Sequence, residues 1–450
     1  MKTLQHLMLT NFLLASLLVA LPMPVLADDL LDIFNIAKER DPQLRAAAAN
    51  RKADFEAKPQ SIAALLPNIN ASADTEDNHS QVTNSGFRPN ADEKYNSNGY
   101  SITLTQPLYH HDLWVALRQA DSTTLRAEAD YQSARQDLII RVSQAYFDVL
   151  AAIDDLSFAR AEREATGRQL DDAKQRFDVG LVAITDVYEA QARYDLTVAQ
   201  VITAENNLAN AREALQEITG QYHDNLKVLI KNVPLLTPDP NKIDDWVTEA
   251  DEKNLQLVSA RRTGDIAKEE INRQRAGHYP TLDLVAQRNH SVSNSRFGST
   301  SDLDSIGLQL QVPIFAGGGV LSRTREARYR FQAATETLEQ TRRSVIRQTR
   351  NAYLGVLAGI SRVKALKQAV LSNQKALESS QAGLEVGTRT IVDVLLAQRE
   401  LFRARADYAR SRYDYILNTL KLKQAAGSLS VKDLQGINAW LVARSKTDDK

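Results

Sequence analysis

Ser305-Ile306-Gly307-Leu308-Gln309-Leu310-Gln311-Val312 carries an apolar side chain at each even position and a polar or small one at each odd position. Successive side chains of a strand point to opposite faces, so this stretch reads as a strand with one apolar and one polar face. Tyr100, Ile102 and Leu104 alternate in the same way with Ser101, Thr103 and Thr105. Ile69, Ala71 and Ala73 repeat the pattern, as do Leu282, Leu284 and Ala286. Four strands are expected, in two pairs, each pair joined by a very polar loop at about 75–97 and about 288–303. Taken locally, a small soluble sheet with its apolar face on a core has the same signature.

Each strand pair leads into a long stretch of a different period. From about 111 to 179 there is no proline, and Gly167 is the one glycine. Tyr131, Leu138, Val142, Ala145, Val149, Ile153 and Leu156 follow steps of seven, four and three, the spacing of a coiled-coil seam. A helix of that span is about 100 Å long. Gly180 ends it, and a second helix is expected over Asp186 to Glu217, with Val187, Ala190, Tyr194, Val198, Val201 and Leu208 on one stripe. The chain then repeats itself. Ala145-Tyr146 recurs as Ala352-Tyr353, Val179-Gly180 as Val386-Gly387, Asp186-Val187 as Asp393-Val394, and Ala190-Gln191 as Ala397-Gln398, all at an offset of 207. Upstream, Pro67 and Pro280 are 213 apart, and Pro107 and Pro313 are 206 apart, so the copies differ in length between their prolines. This is one duplicated unit with a helical hairpin in each copy. The expected layout is a first repeat over 28–220, a linker over 221–245, a second repeat over 246–427 and a tail over 428–450.

Composition narrows the function. Lys and Arg number 55 against 56 Asp and Glu, a net charge of −1, which lacks the basic excess that grips nucleic acid. There is no cysteine, which removes disulfides, thiolate metal sites and cysteine nucleophiles. No GxxxxGK[ST] or HExxH is present, so no enzyme and no cofactor are expected. His110-His111 invites a metal reading, but neighbours on a strand point apart, and the second copy has Ala316 and Gly317 there; no metal is expected. Lys2, the apolar run Leu7 to Leu21 and Val25-Leu26-Ala27 read as a signal peptide over 1–27. A membrane anchor would want about 20 apolar residues, and Pro22 and Pro24 interrupt this run.

Four strands cannot close a membrane barrel, because the smallest use about eight, and lipid tolerates no open sheet edge. Two chains would give eight strands and a filled interior. Three would give twelve, with an aqueous lumen lined by Ser101, Thr103, Gln309 and Gln311. A secreted protein with such a barrel points to a Gram-negative outer membrane, and its long hairpins would form a tube across the periplasm. The rival is a soluble periplasmic coiled-coil adaptor, which shares the hairpins but needs no strand pairs.

The duplication, Leu181-Val182-Ala183-Ile184-Thr185-Asp186-Val187 after Val179-Gly180, Val386-Gly387-Thr388-Arg389-Thr390-Ile391-Val392-Asp393-Val394-Leu395, and His278-Tyr279-Pro280-Thr281-Leu282-Asp283-Leu284 resemble the TolC family of outer-membrane efflux proteins over about 28–440. The resemblance implies a mainly α fold with a small β part: a homotrimeric channel-tunnel with a shared twelve-stranded barrel in outer-membrane lipid and a twelve-helix tunnel. It implies a periplasmic adaptor and an inner-membrane pump of RND or ABC type as partners, in drug efflux or type I secretion. It assigns adaptor contact to the tips Val179, Gly180, Leu181, Val386, Gly387 and Thr388. Threefold symmetry would make Asp393 a carboxylate ring favouring cations, and the resemblance supports that entrance role. Arg389 resembles a residue that bonds between hairpins and holds the entrance shut, with Thr185 and Asp186 as partners. The enterobacterial pattern has tyrosine at Leu384 and aspartate at Leu396; Glu189, which matches Leu396 in the first copy, is a candidate compensating charge. Thr185 is also a candidate N-cap.

Overall fold

The structure, a computed structural model, describes residues 27–83, 91–295 and 297–443. The expected signal peptide lies outside them except for Ala27, as does the end of the expected tail from 444. The chain begins with α1 (Leu30–Arg40), α2 (Pro42–Phe55) and α3 (Ala57–Ala63), then β1 (Asn68–Val82) and β2 (Ala91–Tyr109). The first hairpin is α4 (His111–Asp178) and α5 (Ile184–Thr219). After β3 (Val228–Leu229) come α6 (Ile243–Lys253), α7 (Leu255–Arg275), β4 (Thr281–Ser293) and β5 (Ser299–Gln311). The second hairpin is α8 (Gly319–Glu385) and α9 (Ile391–Ala425), followed by α10 (Val431–Asn438) and β6 (Leu441–Val442).

The long helices follow from their seams. α4 runs 68 residues and α8 runs 67, about 100 Å each. Leu138, Val142, Ala145, Val149 and Leu156 of the expected stripe are buried. None of the helices among the described residues is long and apolar enough to cross a membrane, which leaves the sheet as the part suited to lipid.

The sheet is antiparallel in the order β1-β2-β4-β5, so the two copies join through β2 and β4. Its apolar face meets nothing: Ile306, Leu308 and Leu310 are 75%, 67% and 63% exposed. That separates it from a soluble sheet, whose apolar face would cover a core. The outer strands β1 and β5 each pair on one side only among the described residues.

The strand pairs correct the expected loops. Pairing continues through most of 75–97 and 288–303, to Val82↔Ala91 and Ser293↔Ser299. Polar cross-strand pairs replace the apolar ones there. Asn78 donates to Ser97 Oγ at 2.7 Å, and His290 Nδ1 lies 2.7 Å from Asp302. Such pairs hold register without an apolar face, which is why hydrophobic alternation alone ended the strands early.

Midway along the hairpins a belt gathers distant segments. β3 pairs with β6, and α1 and α10 bury Leu30, Ile33, Leu434 and Ile437 in the main core. Fully buried tyrosines tie the belt to the hairpins. Tyr146 donates to the Lys227 carbonyl at 2.7 Å, and Tyr415 donates to the Leu236 carbonyl at 3.0 Å while accepting from its N–H at 2.8 Å. A buried phenol needs such partners.

Candidate entrance at the hairpin tips

The tips lie at the ends of the hairpins farthest from the sheet. Both turns are closed by a glycine in the left-handed region, Gly180 at φ 77° and Gly387 at φ 76°. A Cβ on either would meet no atom within 4 Å, so the backbone conformation and not space calls for glycine. Leu181 N–H reaches back to the Arg176 carbonyl at 2.8 Å, and Thr388 N–H to the Gly383 carbonyl at 2.8 Å. These six-to-one bonds satisfy helix-end carbonyls in the Schellman manner. The turns leave apolar side chains in solvent: Val179, Leu181 and Val386 are all about 70% exposed or more.

Behind the turns the copies diverge. In the second hairpin Thr390 caps α9: Thr390 Oγ1 accepts from Asp393 N–H at 3.2 Å, and Asp393 Oδ2 accepts from Thr390 N–H at 2.9 Å. This capping box holds the Asp393 carboxyl below the usual range, first through the Thr390 backbone, then its hydroxyl, with Arg389 adding a smaller charge effect. In the first hairpin, α5 starts two residues earlier than expected, at Ile184. Ala183 is the N-cap and Thr185 sits inside the first turn, so Thr185 is not the cap. Asp186 N–H bonds the Ala183 carbonyl at 3.1 Å instead.

Arg389 bends back over its own hairpin. Its Nη1 lies 3.9 Å from Asp393 Oδ1, and its stem lies on Gly383, where a Cβ would come within 2.6 Å of Arg389 Cγ. Among the described residues within one chain, Arg389 is not joined to Thr185 or Asp186. Glu189 and Leu396 are both exposed. What joins the two hairpins here is apolar: Leu170, Ala173, Val187 and Ala190 cluster with Ile391 and Leu395, with Leu384 packed against them. Leu384 thus fills a packing role at the tip.

Sequence reasoning missed a polar layer inside the first hairpin. Arg193 forms an ion pair with Glu162, with side chains only 16% and 11% exposed. One turn away the Thr166 and Thr197 hydroxyls meet at 3.1 Å. Burial pushes the Glu162 carboxyl up, against the pull of Arg193. Thr166 lies on the seven-residue repeat that carries Leu138 and Ala145, but Glu162 lies off it, so the buried pair shows only in the structure. The second copy has Ala369 and Glu400 at the positions of Glu162 and Arg193. Gly383 was missed as well, having no counterpart glycine in the first copy.

Comparison with known proteins fits this architecture. Residues 33–221 and 246–428 match the family described as "Outer membrane efflux protein". The chain is 41% identical over 427 residues to the outer membrane protein TolC of Vibrio cholerae, covering 94% of this chain and 96% of that one. It is 30% identical over 418 residues to the proteases secretion protein PrtF of Dickeya chrysanthemi, covering 91% and 90%. The fold matches that of the Campylobacter jejuni CmeC outer membrane channel with a TM-score of 0.77, at 16% identity, covering 92% of this chain and 90% of that one. The exposed apolar sheet and the near full-length matches rule out a soluble adaptor, and the chain belongs to the outer membrane efflux protein family, the TolC-type exit ducts of the Gram-negative outer membrane.

Proposed function

We propose that three copies of the chain close one twelve-stranded barrel above a twelve-helix tunnel, forming a passive duct that opens at its periplasmic tip. One observation carries this reading: a four-stranded sheet whose apolar face is bare and whose outer strands are each paired on one side only. Lipid does not tolerate open edges, so β5 of one copy pairs with β1 of the next until the wall closes. The duplicated units, 28–220 and 246–427, each supply two strands and one hairpin, with 221–245 and 428–450 feeding the belt.

The tips Val179-Gly180-Leu181 and Val386-Gly387-Thr388 dock a periplasmic adaptor, which links the duct to an inner-membrane pump of RND or ABC type. Exposed apolar side chains at both turns support a contact there, since a solvated turn has no use for them. Asp393, held ionised by its cap, forms the entrance ring, with Asp186 and Glu189 adding charge. Arg389 holds the closed state through contacts between neighbouring hairpins that reach Thr185 and Asp186. The family name supports efflux, and the likeness to a proteases secretion protein supports type I secretion as a second role.

The test is size and conductance together. Purified protein in detergent should sediment as a trimer and conduct ions in planar bilayers. A folded monomer that stays in water without detergent would overturn the reading.

A further inference from the structure

The two copies differ in charge where their long helices run beneath the belt. From Gln340 to Leu377, α8 carries eight Lys and Arg and no Asp or Glu, whereas the matching stretch of α4, Ser133 to Leu170, carries five against six. Four of the α8 cations form ion pairs: Arg342 with Asp251, Arg343 with Glu339, Arg350 with Asp244, and Lys375 with Glu378. Lys364 has neither an ion pair nor a hydrogen bond among the described residues.

Lys364 lines a cavity of about 350 Å³ between α8, α9 and the belt segment at 232–235, and no acidic residue lines it. Lys367 lines it too, and its Nζ bonds the neutral Asn232 Oδ1 at 3.1 Å, which leaves its charge unbalanced. From α9 comes Arg412, with a side chain only 13% exposed. Its guanidinium lies 5.2 Å from the Tyr408 ring and 5.8 Å from the Tyr413 ring. Its Nη1 reaches the Ile230 carbonyl at 3.5 Å, and its buried Nε has no hydrogen-bond partner among the described residues. Asp154 stands 3.9 Å from Arg412 and accepts from the Tyr413 hydroxyl at 2.7 Å. That carboxylate balances one charge from outside the cavity and leaves those of the two lysines.

The first copy shows the same positions neutralised. Ser157, Arg160 and Glu205 stand where the second copy has Lys364, Lys367 and Arg412. Arg160 and Glu205 pair at 2.8 Å. The second copy puts an arginine in place of that glutamate, so cations from two helices face one cavity. Like charges held together repel until a counter-charge joins them. We infer that this cavity binds two carboxylates carried on one short molecule, the chemistry shared by a small dicarboxylate and an acidic peptide. Lysines on one helix and an arginine on the other give each carboxylate its own charged donor, and Val363 gives the carbon chain between them an apolar wall. Phosphate has no such chain. The site is complete within one chain. Its exposure to the periplasm alone rests on the duct proposed above, because a belt inside the tunnel would block the lumen.

Detergent-purified protein is titrated calorimetrically with glutarate, with a capped dipeptide of two glutamates, with acetate and with inorganic phosphate. Glutarate or the dipeptide should bind at least about ten-fold tighter than acetate or phosphate, and whichever of the two binds tighter identifies the source. Lys364→Ser, the first-copy residue, combined with Lys367→Gln should weaken that binding about ten-fold or more, and Arg160→Gln should leave it unchanged. Binding of neither dicarboxylate ligand would overturn the site, as would phosphate bound as tightly or a double variant that binds like the wild type. So would an equal loss in Arg160→Gln. If the double variant fails to assemble, the four-ligand comparison on the wild type decides alone. Conductance in planar bilayers separates the two proposals: a conducting protein that binds neither ligand sinks the site alone, whereas a non-conducting protein that binds them sinks the duct alone.

Discussion

Replacing Arg193 with methionine tests the polar layer of the first hairpin. Methionine keeps much of the stem and removes the charge, leaving Glu162 in a site where the two side chains are 11% and 16% exposed. Breaking one partner of a buried pair costs about 3–5 kcal/mol, because the other charge stays buried. Converted to populations, local opening of the hairpin becomes on the order of a hundred- to several-thousand-fold more frequent. Replacing both partners, Glu162→Leu with Arg193→Met, should restore most of this, to within about 1 kcal/mol of the wild type. The assay is amide hydrogen exchange over 160–200 in the detergent-solubilised protein, which reads local opening. The pH dependence carries a sign. The Glu162 carboxyl is raised by burial, so the folded hairpin holds its proton more tightly than the unfolded chain. Its contribution is therefore greatest below the ordinary glutamate range and falls as pH rises through the raised folded value. Arg193 is the main group pulling that value down, so its loss moves the window upward and the Arg193→Met defect should shrink on acidification. An equal defect in single and double variants, or a defect unchanged between neutral and acid pH, would refute the argument.

Leu308→Arg places a charge on the bare lipid-facing band, at a cost of about 2–4 kcal/mol per chain if the position lies near the bilayer midplane, and should cut the yield of inserted trimer in outer-membrane fractions; normal insertion would count against the assigned face. Asp393→Asn keeps a side-chain acceptor for the α9 cap while removing the charge, so cation preference should fall without loss of helix. Unchanged reversal potentials in a salt gradient would reject the entrance ring. Arg389→Ala should raise single-channel conductance, since a link worth about 1 kcal/mol shifts the open fraction about five-fold; wild-type conductance would remove Arg389 from the gate.

The hairpins were legible because their determinants are local. A seam of apolar residues every three or four positions specifies a helix wherever it is written, and the structure has α4 over His111–Asp178 against an expected span of about 111–179. The duplicated Gly180 and Gly387 turns were legible for the same reason. The strands were legible only where one face is apolar; beyond that, pairs such as Asn78 with Ser97 hold the ladder, and such partners are invisible until the register is known. Thr185 was misassigned as a cap because the three-residue stretch before it gave no cue that α5 begins at Ile184.

Taken alone, the amino-acid sequence determined the repeated unit, the lengths of its helices, the two faces of its strands and the kinship they carry, since each depends on the order of residues within a few turns or a few strand positions. The tertiary structure decided what meets what. It joined β2 to β4 across the two copies, brought Tyr146 to Lys227 and Tyr415 to Leu236, buried Glu162 against Arg193, and packed Leu384 into the cluster at the tip. Contacts between residues far apart in the chain depend on which buried groups find partners at the same time, and no local period encodes that.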